Sequence, residues 1–414
     1  MSKILFNSSW SSDCQGYIDV DGTVYVWGQN QYVYGIYGNF SSFFNKVGDE
    51  IDRNRNVPNP MPFFNFVDGR RIIQVSVSVS HSIALDSEGR MYGWGNNNKG
   101  QTLGRILGNQ ESEDIVTPIE IEIELLRGKT IIYVECAEEC TYVIDSDGKL
   151  YTWGSNQYGQ LGTGSTTSEF CPPTCLSDTG VLQGKRITKV RSSDNITVAL
   201  DSLGSGYLWG KTTLSHPVNP TSTPQNISNL GILLGKTFVD IECCSNFIVL
   251  LDTNGRVYTY GSNYQGKLGN NSTINSSLPI DISPFFNGAI ITKIKALSNA
   301  TIAIDTIGNV YVWGGGYNGL GNNTRQDLYV PTNISNFGDI VGKTIVDIAI
   351  STGALFAKDI DGNLYSWGSN YLGILGLNTT QDNIFVPRRI TDTNRDLFQS
   401  MISVGGLGNH KLIK

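Results

Sequence analysis

Little in this chain favours helices, charge-driven binding or acid–base chemistry. Charged residues are only 16% of its 414 residues, methionine occurs 4 times and histidine 3 times. A helical bundle draws on Leu, Ala, Glu and Lys, so this composition argues against one. There is no Gly-x-Ser-x-Gly, no His-Glu-x-x-His and no Walker-type phosphate loop, which leaves the usual catalytic frameworks without a foothold. No apolar run is long enough to cross a bilayer as a helix, so no membrane association is expected. The first ten residues, MSKILFNSSW, lack the apolar stretch and small-residue cleavage site of a signal peptide. Seven cysteines are odd in number and scattered, unlike a secreted disulfide framework. These absences point to a cytoplasmic or nuclear protein that is not secreted. With a net charge of −7, a pI near 5.1 and no Lys/Arg run, nucleic acid is not expected as a direct ligand.

What the chain does have is 47 glycines, 10% aromatics and 39% hydrophobic residues, a supply suited to many short strands and tight turns. It also repeats itself. Asp21-Gly22-Thr23-Val24-Tyr25-Val26-Trp27-Gly28 returns as Glu88 to Gly95 and as Asp147 to Gly154. Looser copies end at Gly210, Gly261, Gly314 and Gly368, so the closing glycines stand 67, 59, 56, 51, 53 and 54 residues apart. In each unit a β-run such as Tyr142-Val143-Ile144 leads into Asp-x-x-Gly hairpin chemistry, then a strand in which Tyr151 and Trp153 alternate with Leu150 and Thr152. A strand such as Ile131 to Val134 precedes the hairpin. A Gly/Asn-rich crossing, Gly-x-Asn-x-x-Gly-x-Leu-Gly, follows it, then a proline expected at the start of an outer strand, as at Pro118, Pro279, Pro331 and Pro387.

Four strands per unit and seven units predict an all-β, seven-bladed β-propeller with four-stranded antiparallel blades, a single domain over residues 1–414. An insertion in the first repeat is expected at about 36–68. Six of the seven tryptophans occupy the repeat slot, where packing explains them. Residues 401–413 resemble Ile73 to Leu85, the two strands that precede a Tyr-x-Trp-Gly strand. Pairing of the N- and C-terminal strands would therefore close the ring with one mixed blade. Residues 3–20 are themselves spaced like a first strand pair, which leaves their part in that blade open.

The run Gly-Lys-x-Ile-x-x-Ile, then Asp-x-x-Gly-x-Leu-Tyr-x-Trp-Gly-Ser-Asn-x-x-Gly-x-Leu-Gly, fullest at 128–162 and 342–376, resembles the repeat of the regulator of chromosome condensation family. The resemblance implies a seven-bladed propeller whose end strands share a blade. Its founding member is an exchange factor for the small GTPase Ran and binds chromatin. Other members are ubiquitin-ligase components, a plant UV-B photoreceptor and interaction scaffolds. The chain departs from the pattern in several places. The usual Gly-x-x-His-x-x-Ala-Leu is kept at His81 and less fully at His410, while Cys140, Ile196, Phe247, Ala300 and Ala354 fill the matching slots. Unit four has no crossing, running Gly210-Lys211-Thr212 toward His216 and Pro217, and there is no basic N-terminal tail.

Individual residues offer few sites. His81 and His410 fit buried, hydrogen-bonded repeat positions. Cys136 falls on a strand and Cys140 in a repeat core slot, Cys171 and Cys175 lie in a loop around Pro172-Pro173, and Cys243 and Cys244 point to opposite faces, so no metal or cofactor is expected. One stretch stands out: Ile119, Glu120, Ile121, Glu122, Ile123, Glu124 and Leu125 alternate strictly. On an outer strand this puts three carboxylates on one face and three isoleucines on the other. Edge protection accounts for such a pattern, and so does an acidic ribbon for a partner, with Glu111, Glu113 and Asp114 upstream. Glu120, Glu122 and Glu124 are the candidate partner-binding residues. The expected function is that of a non-enzymatic protein–protein interaction scaffold. A guanine nucleotide exchange factor for a small Ran-like GTPase and a substrate-recognition component of a ubiquitin ligase are the alternatives.

Overall fold

The computed structural model describes residues 5–12, 14–18, 23–28, 55–60, 64, nearly all of 69–390 outside 106–113, 212–220 and parts of 371–380, and 405–408. Among these residues the regular structure is β-strand and short 3-10 turns, with no α-helix. The third blade shows how a repeat folds. Ile131–Ala137 is its inner strand, Cys140–Asp145 and Leu150–Asn156 form the hairpin, and Thr167–Cys175 is the outer strand, all antiparallel. Five separate four-stranded sheets repeat this order or its equivalent, and the second blade, Ile72–Val77 to Asp114–Glu120, is a sixth inside a larger sheet. Cys14–Ile18, Val24–Gly28 and Arg55–Pro60 make a three-stranded seventh sheet, the first blade in chain order. The inner strands of successive blades lie against one another around the axis. Trp94, Trp153, Trp209, Trp313 and Trp367 are fully buried between blades, the packing role expected of them.

Two rules of local chemistry hold the blades in shape. The slot residues His81, Cys140, Ile196, Phe247, Ala300 and Ala354 each pair with the glycine that ends the Tyr-x-Trp-Gly strand. At Gly154 φ is +108° and a Cβ would stand 2.3 Å from the Glu139 carbonyl oxygen, so only glycine fits. The prolines differ from expectation. They lie inside the outer strands rather than at their starts, each in a bulge. Val312 and Gly314, two residues apart, face Thr332 and Leu328, four apart, with Pro331 in the extra stretch. Pro118, Pro172 with Pro173, Pro279 and Pro387 sit in the same irregularity, where a missing N–H leaves no ladder bond unmade. Cys171 and Cys175 therefore belong to a strand, not to a loop.

The chain ends also differ in detail. Val24–Gly28 takes its neighbour from Cys14–Ile18, an N-terminal strand, and not from the C-terminus. Gly405–Gly408 instead runs parallel to Leu5–Ser12, which runs parallel to Ile72–Val77. Gly405–Gly408 also packs against Ile345–Ser351, the inner strand of the last blade. Arg55–Pro60 is the outer strand of the first blade, so this part of the expected 36–68 insertion is ordinary blade; most of the remainder, like His216 and His410, lies outside the described residues.

Candidate interaction site

The alternating Ile/Glu stretch does not form one strand. The outer strand of the second blade ends at Glu120, opposite Tyr92, and the Ile121 N–H donating to the Met91 carbonyl is the last ladder-like bond. Its partner strand starts at Met91, so nothing remains to pair with residues beyond. The chain then drops into a 3-10 turn at Glu124–Leu126. Ile121 and Leu126 are buried, whereas Ile119 is 40% exposed, so the isoleucines do not share one buried face.

Glu120, Glu122 and Glu124 nevertheless line one cleft of about 480 Å³, between the hairpin residues Gly89 to Met91 and the start of the third blade. Arg90, Arg127 and Lys129 line it too, so its charge is mixed. Arg127 lies 3.0 Å from Glu124, both fully solvated, a contact that adds little to stability. Glu120 and Glu122 are exposed, and neither makes an ion pair among the described residues. Among the described residues no group of His, Cys, Asp and Glu could hold a metal.

Of the other residues weighed, His81 and six cysteines are described. His81 is buried, its Nδ1 3.0 Å from Ser78 Oγ and its Nε2 2.8 Å from Thr141 Oγ1 of the next blade. Burial pushes its pKa down to about 3, so it stays neutral. Cys136, Cys140, Cys171, Cys175, Cys243 and Cys244 are free thiols, and burial raises the pKa of the first five.

Sequence reading missed an arc of ion pairs on the inner strands. Equivalent positions carry Glu135 in the third blade, Lys189 and Arg191 in the fourth, Asp240 and Glu242 in the fifth, Lys293 and Lys295 in the sixth, and Asp347 in the seventh. Sign alternates from blade to blade. Arg191 Nη1 lies 3.1 Å from Glu135, and Arg191 Nε lies 3.3 Å from Glu242. Lys189 and Lys295 reach the other Glu242 oxygen at 2.8 and 2.9 Å. Lys189 also meets Asp240, and Lys293 meets Asp347. Burial alone would raise the Glu242 pKa, but Arg191, Lys189 and Lys295 together bring it well below the usual range. The signal was available in the sequence as a sign change at one repeat slot.

Five stretches of the chain, residues 21–85, 88–144, 147–200, 254–304 and 361–408, match the model of the regulator of chromosome condensation (RCC1) repeat, and 72–101 match a second RCC1 repeat model. The chain belongs to the RCC1 repeat family. Ultraviolet-B receptor UVR8 of Arabidopsis thaliana is 27% identical over 82% of this chain and 73% of the receptor. The E3 ubiquitin-protein ligase HERC2 of Homo sapiens is 26% identical over 87% of this chain, which spans only 7% of that ligase. Protein RCC2 homolog of Xenopus laevis is 24% identical over 81% of this chain and 66% of its own length. Among solved structures, Prp20p of Saccharomyces cerevisiae, described with its binding to Gsp1p and histones, has a TM-score of 0.73 at 19% identity, covering 94% of this chain and 91% of Prp20p. Human WBSCR16 has a TM-score of 0.69 at 19% identity, covering 95% and 96%. At these identities the structural likeness shows a shared RCC1-type propeller. The fold is one used for protein interaction and for nucleotide exchange, and no helix among the described residues is long and apolar enough to cross a membrane.

Proposed function

We propose that this RCC1-repeat propeller is a non-enzymatic protein–protein interaction scaffold, and that Glu120, Glu122 and Glu124 contact a basic segment of a partner. The observation that carries the reading is the pair of exposed carboxylates, Glu120 and Glu122, which line a cleft and have no ion partner among the described residues. Glu124 is tied to Arg127 and would join by exchanging that contact. The test replaces all three by Lys and follows association with a Lys/Arg-rich 15-residue peptide by stopped flow at several salt concentrations. Slower association and a flattened salt dependence are expected, because screened attraction acts mainly on the on-rate. Unchanged binding would overturn the assignment of these carboxylates to a partner.

A second reading is a guanine nucleotide exchange factor for a small Ran-like GTPase, favoured by the fold shared with Prp20p over 94% of the chain. Release of labelled GDP from such a GTPase decides between them. No acceleration is expected, and acceleration by sub-stoichiometric protein would overturn the scaffold reading.

A further inference from the structure

We propose that the rim of the fourth to sixth blades, on the face carrying the Asp-x-x-Gly hairpins, docks an acidic protein segment bearing apolar side chains. The inference rests on the reading of the propeller as an interaction module, but it uses a surface apart from the Glu120–Glu124 cleft.

Backbone bonds make this rim continuous. The Ser202 N–H donates to the Arg186 carbonyl at 2.8 Å, the Phe238 N–H to Gly204 at 2.9 Å, the Thr253 N–H to Thr237 at 2.9 Å, the Ile291 N–H to Gly255 at 3.2 Å, and the Thr306 N–H to Ile290 at 3.0 Å. Each hairpin is thus tied to its own blade's inner strand on one side and to the next blade on the other. Along this belt Leu203 is 73% exposed, Ile307 72% and Ile290 53%. Single exposed aliphatics are ordinary, but a row of them fixed along one belt marks a contact surface.

Charge then selects the occupant. Lys185, Arg186 and Lys236 lie on the same belt, Arg186 exposed and the two lysines half-buried, and none of their side chains makes an ion pair among the described residues. Every described carboxylate between residues 180 and 308 is already committed. Asp201, Asp252 and Asp305 are buried in their hairpins, and Asp240, Glu242 and Asp281 are ion-paired. The strip therefore offers basic groups and branched aliphatics together, which an acidic segment with apolar side chains answers on both counts. An anionic bilayer fits less well. The same face carries exposed Glu122, Asp147 and Asp361 on other blades, and a flat charged surface would meet them as well.

The test is an array of 15-residue peptides in which net charge and leucine content vary independently, probed with the full chain. Retention should rise with both acidity and leucine content. Replacing Lys185, Arg186 and Lys236 by Glu should weaken it at least tenfold, and Leu203→Ser with Ile307→Ser should remove the leucine dependence. Replacing Glu120, Glu122 and Glu124 by Lys should leave these acidic spots unchanged, so failure of the cleft reading would show separately, on the basic peptides. Retention that ignores peptide acidity, or that survives the triple charge reversal, would overturn the proposal. So would binding to vesicles with 30% phosphatidylserine without selective peptide retention, which would make the strip a membrane contact. Unchanged tryptophan fluorescence confirms that each variant is folded, including those at Lys185 and Lys236, which are half-buried.

Discussion

At the scale of single residues, the hairpin aspartate does more than turn the chain. Asp145 Oδ1 accepts from the Asp147 and Lys149 backbone N–H groups at 3.0 and 2.9 Å, and Oδ2 accepts from the Tyr151 hydroxyl at 2.9 Å. Asp86, Asp201, Asp252 and Asp305 repeat the arrangement with Tyr92, Tyr207, Tyr258 and Tyr311. Asp145→Ala strands one buried donor, the Tyr151 hydroxyl, and two part-buried N–H groups, and at about 1–3 kcal/mol for a buried donor it should cost about 2–3 kcal/mol by urea unfolding. Asp147→Ala, whose side chain is exposed, should stay within about 0.5 kcal/mol. The tryptophans are not equivalent either. Trp153, Trp209 and Trp313 donate from Nε1 to the carbonyls of Gln101, Gln160 and Lys267 in the preceding crossing. Trp367 Nε1 is buried with no acceptor among the described residues, because the crossing from Gly314 to Gly321 lacks the residue between Gly and Leu that supplies that carbonyl elsewhere. Trp153→Phe should therefore cost about 1 kcal/mol more than Trp367→Phe in the same assay.

At the scale of elements, the inner strands of the third to seventh blades are joined by charge, whereas the second and third are joined by neutral bonds: Gln74 donates to the Val134 carbonyl and accepts from its N–H, and Ser76 Oγ accepts from the Cys136 N–H. Arg191 holds both Glu135 and Glu242, so Arg191→Met leaves buried carboxylates undercompensated and should cost about 3–5 kcal/mol. A double-mutant cycle with Glu135→Gln should recover part of that loss. Lys295 gives a pH signature. Burial lowers its pKa to about 8, against the opposing pull of Glu242. An unfolded lysine titrates near ~10.4, so between these values the folded chain has given up a proton that the unfolded chain keeps. Stability contributed by Lys295 should thus improve as pH rises from 8 to about 10. Urea midpoints of the wild type and Lys295→Met, compared at pH 7 and about 9.5, should shift in favour of the wild type at the higher pH.

At the scale of the whole molecule, the terminal strands sit where the last blade meets the first two. Gly405–Gly408 bridges Leu5–Ser12 and Ile345–Ser351. Deleting residues 401–414 should lower the melting temperature, with a loss of several kcal/mol out of the ~5–15 kcal/mol typical of a folded domain. An unchanged melting temperature would show that Leu5–Ser12 and Cys14–Ile18 hold the seam by themselves.

Periodicity alone determined the architecture: seven recurrences of Tyr-x-Trp-Gly or its variants, each after hairpin chemistry, admit few ways to bury an aromatic stripe other than radial blades. Slot equivalences such as His81 with Cys140 were equally legible, because repeat position dictates environment. Residues 119–125 were misread for a physical reason. Alternation favours a strand only while a partner strand continues beside it, and Met91 marks where that partner starts. Prolines were placed at strand starts because a bulge is a relation between two strands, which one strand's sequence does not reveal. The ion-pair arc and the basic, aliphatic strip were decided by tertiary structure, since residues some 50 positions apart become neighbours only when blades dock. Their side chains were in plain view in the sequence; which of them would be paired, buried or left facing solvent depended on the ring.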